Sequence, residues 1–538
     1  MITIRSKYIY TNKEGQWIDG YVCIDGNSIH QLIPYEKRED FPQLMKAEDV
    51  YDFTDNLVLP GFCDFHVHLI NSATIELDGD LRTAASEEEA ARMLWERNKS
   101  KTKEQWVLGG AWDDILWNTS KEPSKAALDQ YFPDVPVFAL NKECHGAWVN
   151  SKTLEIFHIT KETPDPPNGR ISRDEEGNPA GYLHETAMFE VQKKIFERMS
   201  DEQVANYAKV FIKTANRCGI TSLGDVVGVC PIRPEAYKYL EDSGGLNARI
   251  FFYVELEKPL KEVHELQRKY SSSMLKCCGV KAFIDGTPQG DSGYMLEGYW
   301  DNPKEKGTPM IDPDRFLELV KTFHKGDVQM RIHACGDAGV RLCLDCFETA
   351  QNLYGRKDLR HCIEHIEVTT PEDIPRFGEL GVIASVQPEH LPKYDFVEHP
   401  FHKKLGPIRM NYSWPFESIR KGGGVLAYGT DSPVAPLDPW RGIFRAVNRL
   451  TNQLQPQGGW NPKERVSVEE SVKAYTYGGI FAAGMEERLG TLEAGKLADM
   501  VVLDKNIFQI CHDRDQMFHV KPLLTMVDGR IVYEEEKG

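Results

Sequence analysis

What this chain lacks narrows its function before any motif is considered. No apolar run approaches the ~20 residues needed to span a bilayer as a helix. The amino terminus, MITIRSKYIYTNKEG, has neither a long apolar segment nor a small-residue cleavage site, so no secretory signal is expected. Basic residues are in deficit. Lys and Arg number 64 against 82 Asp and Glu, a net charge of −18, and a surface of that sign repels nucleic acid and anionic lipid. The twelve cysteines lie scattered in apolar segments without a repeated CxxC framework, Cys277 and Cys278 alone being adjacent. That pattern suits reduced thiols in the cytoplasm better than a disulfide scaffold. Internal repeats and low-complexity segments are also missing. The expectation is a cytoplasmic globular protein with no nucleic-acid or membrane partner.

What is present is ample material for a core: 538 residues, 41% of them hydrophobic and 10% aromatic, too long a chain for one small module. Both ends read as β. Near the start, ITIRSKYIYT, QWIDGYVCID and SIHQLIP are rich in β-branched and aromatic residues; near the end, ADMVVLDK is a strand and LLTMVDGRIVYEE a hairpin turning at Asp528-Gly529. Chain ends usually lie close together, so residues 1–58 and 487–538 are expected to build one small β-sandwich domain. Between them, short apolar strands alternate with helical patterns: LVLPGFCDFHVHL, ITSLGDVV, ARIFFYVE, GVKAFIDG, VQMRIHACGD, LRHCIEHIEV, GVIASVQPEH and GVLAYGTD. Ser200 opens the first long amphipathic helix as its N-cap. Eight such units predict a (β/α)8 TIM barrel over 59–486, with chemistry at the strand C-termini. A long insertion, about 72–205, interrupts the alternation after the first strand; within it TPDPPNGRISRDEEGNPAG reads as an exposed turn or hairpin.

The sharpest motif is His66-Val67-His68 at the end of an apolar strand. Period-two geometry places both imidazoles on one face, where they can bind one divalent metal. Taken by itself, so short a motif reads more readily as two hydrogen-bonded surface histidines. It is joined, however, by His333 closing VQMRIH, His365 closing HCIEH and Asp431 closing VLAYGTD. Four histidines and an aspartate at strand C-termini of one barrel favour a metal site.

The order of these elements resembles the amidohydrolase superfamily, in which the ligands are an HxH on the first strand, a Lys or Glu on the fourth, His on the fifth and sixth, and Asp on the eighth. The chain is further similar to the subfamily containing N-substituted formamide deformylase, through PGFCDFHVHL, HGAWVNS, VKAFIDGT, HACGDAG, IEHIE, SVQPEH, GTDSPVAPLDPW and LGTLEAGKLADMVVLD. The resemblance implies a divalent metal centre, zinc expected, with one or two ions held by His66, His68, Lys281, His333, His365 and Asp431. Lys281 takes the fourth-strand position, where related enzymes carry a carboxylated lysine bridging two ions. A bare ammonium beside a dication would be repelled. The competing reading is a structural lysine paired with Asp285 or another carboxylate; a one-ion site of His66, His68, His333 and Asp431 would then leave His365 for substrate.

The implied activity is hydrolysis of a C–N bond in an amide, N-formyl compound or cyclic amide. Metal-activated hydroxide would attack, with Asp431 as general base and then general acid; as a plain residue Asp431 could instead be a helix N-cap ahead of Ser432-Pro433. Two alternatives stand beside it: a mononuclear deaminase of an amidine-like heterocycle, and a non-catalytic binding scaffold, which the complete ordered ligand set disfavours. The expected partner is a small-molecule substrate, and family barrels often pair, so a homodimer is an option. Weaker substrate-contact candidates are His145, His390, Trp112 and Glu185. Trp112, with Trp117 and Trp148, could form an aromatic wall, although core packing is the default for tryptophan. Asp337 is expected to orient a loop, and Cys63 to pack in the core.

Overall fold

A computed structural model describes residues 1–42, 49–112, 117, 121–142, 144–228, 230–393 and 399–536. Its centre is an eight-stranded parallel barrel. The strands are β1 (Phe62–Val67), β2 (Ile220–Val226), β3 (Arg249–Glu255), β4 (Leu275–Phe283), β5 (Gln329–Ala334), β6 (Cys362–His365), β7 (Ile383–Val386) and β8 (Val425–Tyr428). Each pairs in parallel with the next in sequence. These strands are runs of Val, Ile, Phe and Ala because both of their faces are buried.

The barrel closes between β1 and β8. A parallel bridge joins Val67 and Ser432. The Asp431 N–H donates to the His66 carbonyl at 2.7 Å, and the His68 N–H to the Ser432 carbonyl at 2.9 Å. Asp64 reinforces this seam from below, accepting the Thr430 N–H at 2.9 Å and its hydroxyl at 2.6 Å. Gly429 is required there: a Cβ at that position would sit 2.5 Å from the His66 nitrogen. The seam therefore places the HxH strand and Asp431 side by side.

The helices between strands follow from local signals. Helix Asp201–Arg217 begins with Ser200 capping the Gln203 N–H while the Gln203 side chain caps Ser200 in return, satisfying two of the otherwise orphaned donors. Helix Pro313–Lys325 has Asp312 as its cap and proline in its first turn.

Two further sheets flank the barrel. Between β1 and β2 lies a five-stranded sheet of Gly110–Trp112, Phe138–Asn141, Gly146–Val149, Gly169–Arg173 and Pro179–Glu185. Its last two strands form the hairpin expected around the Gly-Asn-rich turn. The chain ends meet in an eight-stranded sheet in which Leu57–Pro60 runs antiparallel to Met500–Leu503. Asp528 and Gly529 turn its final hairpin, both with positive φ (51° and 72°), as a two-residue hairpin loop requires. This sheet is tied to the barrel by an ion cluster: buried Arg249 of β3 donates to Asp499 at 2.8 and 2.6 Å and to Asp528 at 3.0 Å. No helix among the described residues is long and apolar enough to cross a membrane.

Candidate metal centre

The β1 alternation directs Asp64, His66 and His68 to one face, and each histidine is fixed in a single tautomer. The His66 Nδ1–H donates to Glu364 Oε2 at 2.5 Å, and the His68 Nδ1–H to the Val226 carbonyl at 3.2 Å. In their neutral form both rings then present an unprotonated Nε2. These two lone pairs converge on one carboxylate oxygen, Asp431 Oδ1, at 3.4 and 3.1 Å. Two lone pairs facing a carboxylate oxygen repel it unless a cation lies among them, so the donor set fits a divalent ion held by nitrogen and oxygen ligands.

His365 joins the same group: ligand atoms of His66, His365 and Asp431 all lie within 4.8 Å of one another. The His365 ring is 5.0 Å from that of His66 and 4.3 Å from that of His333. Both His365 and Asp431 have left-handed backbones, φ 72° and 58°, a strain of about 1–3 kcal/mol each for non-glycine residues. At His365 this departure from the β conformation breaks the strand's alternation. Consecutive Glu364 and His365 thereby both face the cluster.

Behind His66 stands a charged layer that strand periodicity did not reveal. Glu364 receives two bonds from Arg331, at 2.7 and 2.9 Å, all three side chains being fully buried. Burial pushes the Glu364 carboxyl up, but Arg331 and His66 more than offset it and hold it well below the usual range. An ionised Glu364 is what keeps the His66 proton on Nδ1, the usual role of a carboxylate behind a ligating histidine. Burial alone would raise the Asp431 pKa, and positive charge at His66 and His68 is what holds it low.

Lys281 of β4 points into this region, buried, with its ammonium nitrogen bonded to no acceptor. It does not pair with Asp285, whose two oxygens are taken by the N–H groups of Cys335, Gly336 and Tyr294 at 2.8–2.9 Å. Burial lowers the Lys281 pKa to about 8, with Glu364 opposing the shift. Phe283, two residues on, packs on His333 at 5.1 Å, and the Lys281 nitrogen lies 4.6 Å from the Phe283 ring. Ligand atoms of Asp285, His333 and Cys335 form a second group within 4.8 Å; burial lowers the His333 pKa to about 3.

The weaker candidates divide. His390 follows β7 and stacks on His365 at 5.8 Å, its Nε2 3.7 Å from Asp431 Oδ2. His145 and Glu185 sit in the insertion, bonded to each other at 3.0–3.2 Å and about half exposed. Glu185 occupies the N-cap position of helix Thr186–Arg198, but its carboxylate does not cap that helix. Trp112 is a packing residue of the insertion rather than a wall of the site: it stacks on Trp117 at 5.0 Å and contacts Tyr182 in a buried cluster that also holds Trp148. Gathering that much aromatic surface is the larger gain for a sheet with its own core. Asp337 accepts the Leu296 N–H at 2.8 Å and so orients that loop. Cys63 is wholly buried. Glu364 and Arg331 carried no sequence signal beyond their place in a strand, because their partners come from other strands.

The profile of the amidohydrolase family matches residues 49–533. Among relatives, Protein LONG AFTER FAR-RED 3 of Arabidopsis thaliana is 31% identical over 490 residues, covering 89% of this chain and 82% of that protein. N-substituted formamide deformylase of Arthrobacter pascens is 24% identical, covering 90% of each. In fold, the chain is similar to a metal-dependent hydrolase of Pyrococcus horikoshii OT3, with a TM-score of 0.79 at 24% identity, covering 95% of this chain and 99% of that one. With the family match spanning nearly its whole length, the chain belongs to the amidohydrolase family and is a hydrolytic enzyme.

Proposed function

We propose that this protein hydrolyses the C–N bond of a small amide, N-formyl compound or cyclic amide, using one or two divalent ions at the barrel mouth. The observation that carries the reading is the convergence of the His66 and His68 Nε2 lone pairs on Asp431 Oδ1. His66, His68 and Asp431 would hold one ion, with His333 and His365 completing the set. Nitrogen and carboxylate ligands favour zinc. When bound, the ion would polarise the substrate carbonyl and make water acidic enough to attack at neutral pH.

The chain's own residues would do the rest. Glu364 keeps the His66 Nε2 free to ligate. Asp431 accepts the proton of the attacking water at a carboxylate oxygen and returns it to the leaving nitrogen. His390, facing Asp431 Oδ2, would contact the substrate, with His145 and Glu185 as contributors from the insertion. A buried lysine nitrogen with no acceptor and a lowered pKa favours carboxylation of Lys281, since the neutral amine is the form that adds carbon dioxide; the resulting carbamate could bridge two ions. The limits 1–58, 59–486 and 487–538, a β-sandwich for the terminal sheet, and a homodimer belong to the same proposal.

The test combines metal analysis after dialysis with a turnover screen against N-formyl amines, simple amides, cyclic imides and aminopurines. Retained metal and turnover of an amide support the reading. Turnover of aminopurines alone, with one ion per chain and no bicarbonate dependence of metal uptake, replaces it with the deaminase. A dialysed protein that neither keeps nor rebinds metal leaves the scaffold.

A further inference from the structure

Glu367 lies just beyond β6 and differs from Asp64, Asp285 and Glu364, the other carboxyl groups buried in this barrel beside Asp431. Its backbone is pinned, its carbonyl accepting the Trp414 N–H at 3.1 Å and the next residue's N–H reaching the Cys335 carbonyl at 2.9 Å. Its side chain is more than nine-tenths buried, yet Oε2 has no hydrogen-bond partner. Among the described residues, the ionisable neighbour of Oε1 is His390, its Nδ1 4.0 Å away. No Lys or Arg pairs with Glu367 among the described residues, and burial, with acidic Asp285 and Asp431 adding to it, raises its pKa to about 8. Asp64, Asp285 and Glu364, buried in the same barrel, are all saturated with donors. A buried, unsatisfied polar atom costs about 1–3 kcal/mol, and such atoms in a native fold call for an explanation.

Resting on the hydrolytic reading above, we propose that Glu367 is a specificity-determining residue: its free oxygen takes an N–H of the substrate, so that secondary amides are preferred over their N-methylated counterparts. His390 is close to both carboxyl groups, its Nε2 3.7 Å from Asp431 and its Nδ1 4.0 Å from Glu367. An amide under attack beside Asp431 would have Glu367, beside the same histidine, as an acceptor with an open lone pair. A methyl group in place of that hydrogen would leave the oxygen unsatisfied and add bulk beside it.

The test compares wild type, Glu367→Leu and Glu367→Gln on formanilide and N-methylformanilide, and on the best secondary amide from the turnover screen with its N-methyl derivative. Metal content and melting temperature are measured alongside. The wild type is expected to favour the N–H compound by about 10-fold or more in kcat/KM, in line with one buried hydrogen bond. Glu367→Leu should bring the two compounds close to parity through loss on the N–H compound alone, with metal content unchanged and melting temperature unchanged or raised. Glu367→Gln, which keeps an acceptor, should retain most of the preference. An equal loss on both compounds in Glu367→Leu overturns the inference and leaves the hydrolytic reading standing, as does a Gln variant as unselective as the Leu variant. If the wild type turns over no secondary amide, this inference falls; the hydrolytic reading falls with it only if no amide, N-formyl compound or cyclic imide of the screen is turned over.

Discussion

The barrel holds two groups of buried histidines, and they differ in one respect. At the base, His324 and His361 form a closed chain. The Met330 N–H donates to His361 Nδ1 at 3.2 Å, which leaves the His361 proton on Nε2, directed at His324 Nδ1 3.1 Å away; the far side of His324 donates to the Gly355 carbonyl at 3.0 Å. Every ring nitrogen there has its partner. At the mouth His66 and His365 are as buried, but two lone pairs face a carboxylate and the atoms without partners gather: Asp431 Oδ1, His390 Nε2, Lys281 Nζ and Glu367 Oε2. Burial and residue type are shared, so neither marks the functional group. What marks it is hydrogen-bonding capacity left open toward a common point.

The largest effect should come from breaking the mouth. His66→Ala or Asp431→Asn should reduce turnover on the order of 10³-fold or more, the scale of losing a general acid–base, with weakened metal retention and an unchanged circular dichroism spectrum. Near-wild-type turnover in either variant would sink the assignment. Glu364→Gln is next. It keeps the shape but loses the charge that fixes the His66 tautomer, so metal affinity should fall about 10- to 100-fold, read as a shifted midpoint in chelator titration. Because Arg331 is left buried beside a neutral partner, stability should fall too, by several kcal/mol. At the base, His361→Phe should leave metal affinity and kcat untouched. It removes the acceptor of the Met330 N–H and the donor to His324, for a loss of about 1–3 kcal/mol in chemical denaturation.

The same contrast explains what could be read in advance. His365 and His361 are four residues apart in LRHCIEHIEV, and only position on the strand separated them: His365 ends β6, where a parallel barrel places its chemistry, whereas His361 precedes β6. The eight strands were legible because each is a continuous apolar run ending in polar residues. The position of Asp431 just beyond β8 was legible for the same reason. Glu364 was not, since strict alternation points it away from His365, and the left-handed backbone at His365 that turns both inward carries no signature in the residue itself. Nor does strand position reveal Arg331 as its partner, or Glu364 as the partner of a histidine 298 residues earlier. Trp112 shows the converse. Its tryptophan-rich setting was visible, but a side chain's identity does not say which of two cores it enters, and the insertion has its own.

The smallest effect, and the finest discriminator, is the pH dependence of stability. Burial, with His324 adding to it, lowers the pKa of His361 to about 3 from an ordinary 6.5. The unfolded chain therefore takes up a proton that the folded chain refuses between those two values. Stability is fully present above pH 6.5 and is lost as pH falls toward 3, with a slope of at most about 1.4 kcal/mol per pH unit for this one group. His361→Phe should flatten the denaturation free energy over that window by this amount. It should leave the pH at which metal dissociates where it is, because protons compete with the ion only at the mouth. Asp431→Asn should do the reverse, moving the pH of metal release and leaving the His361 contribution intact. If instead both variants shift both curves, the two histidine groups are one coupled unit, and the separation between a closed base and an open mouth fails.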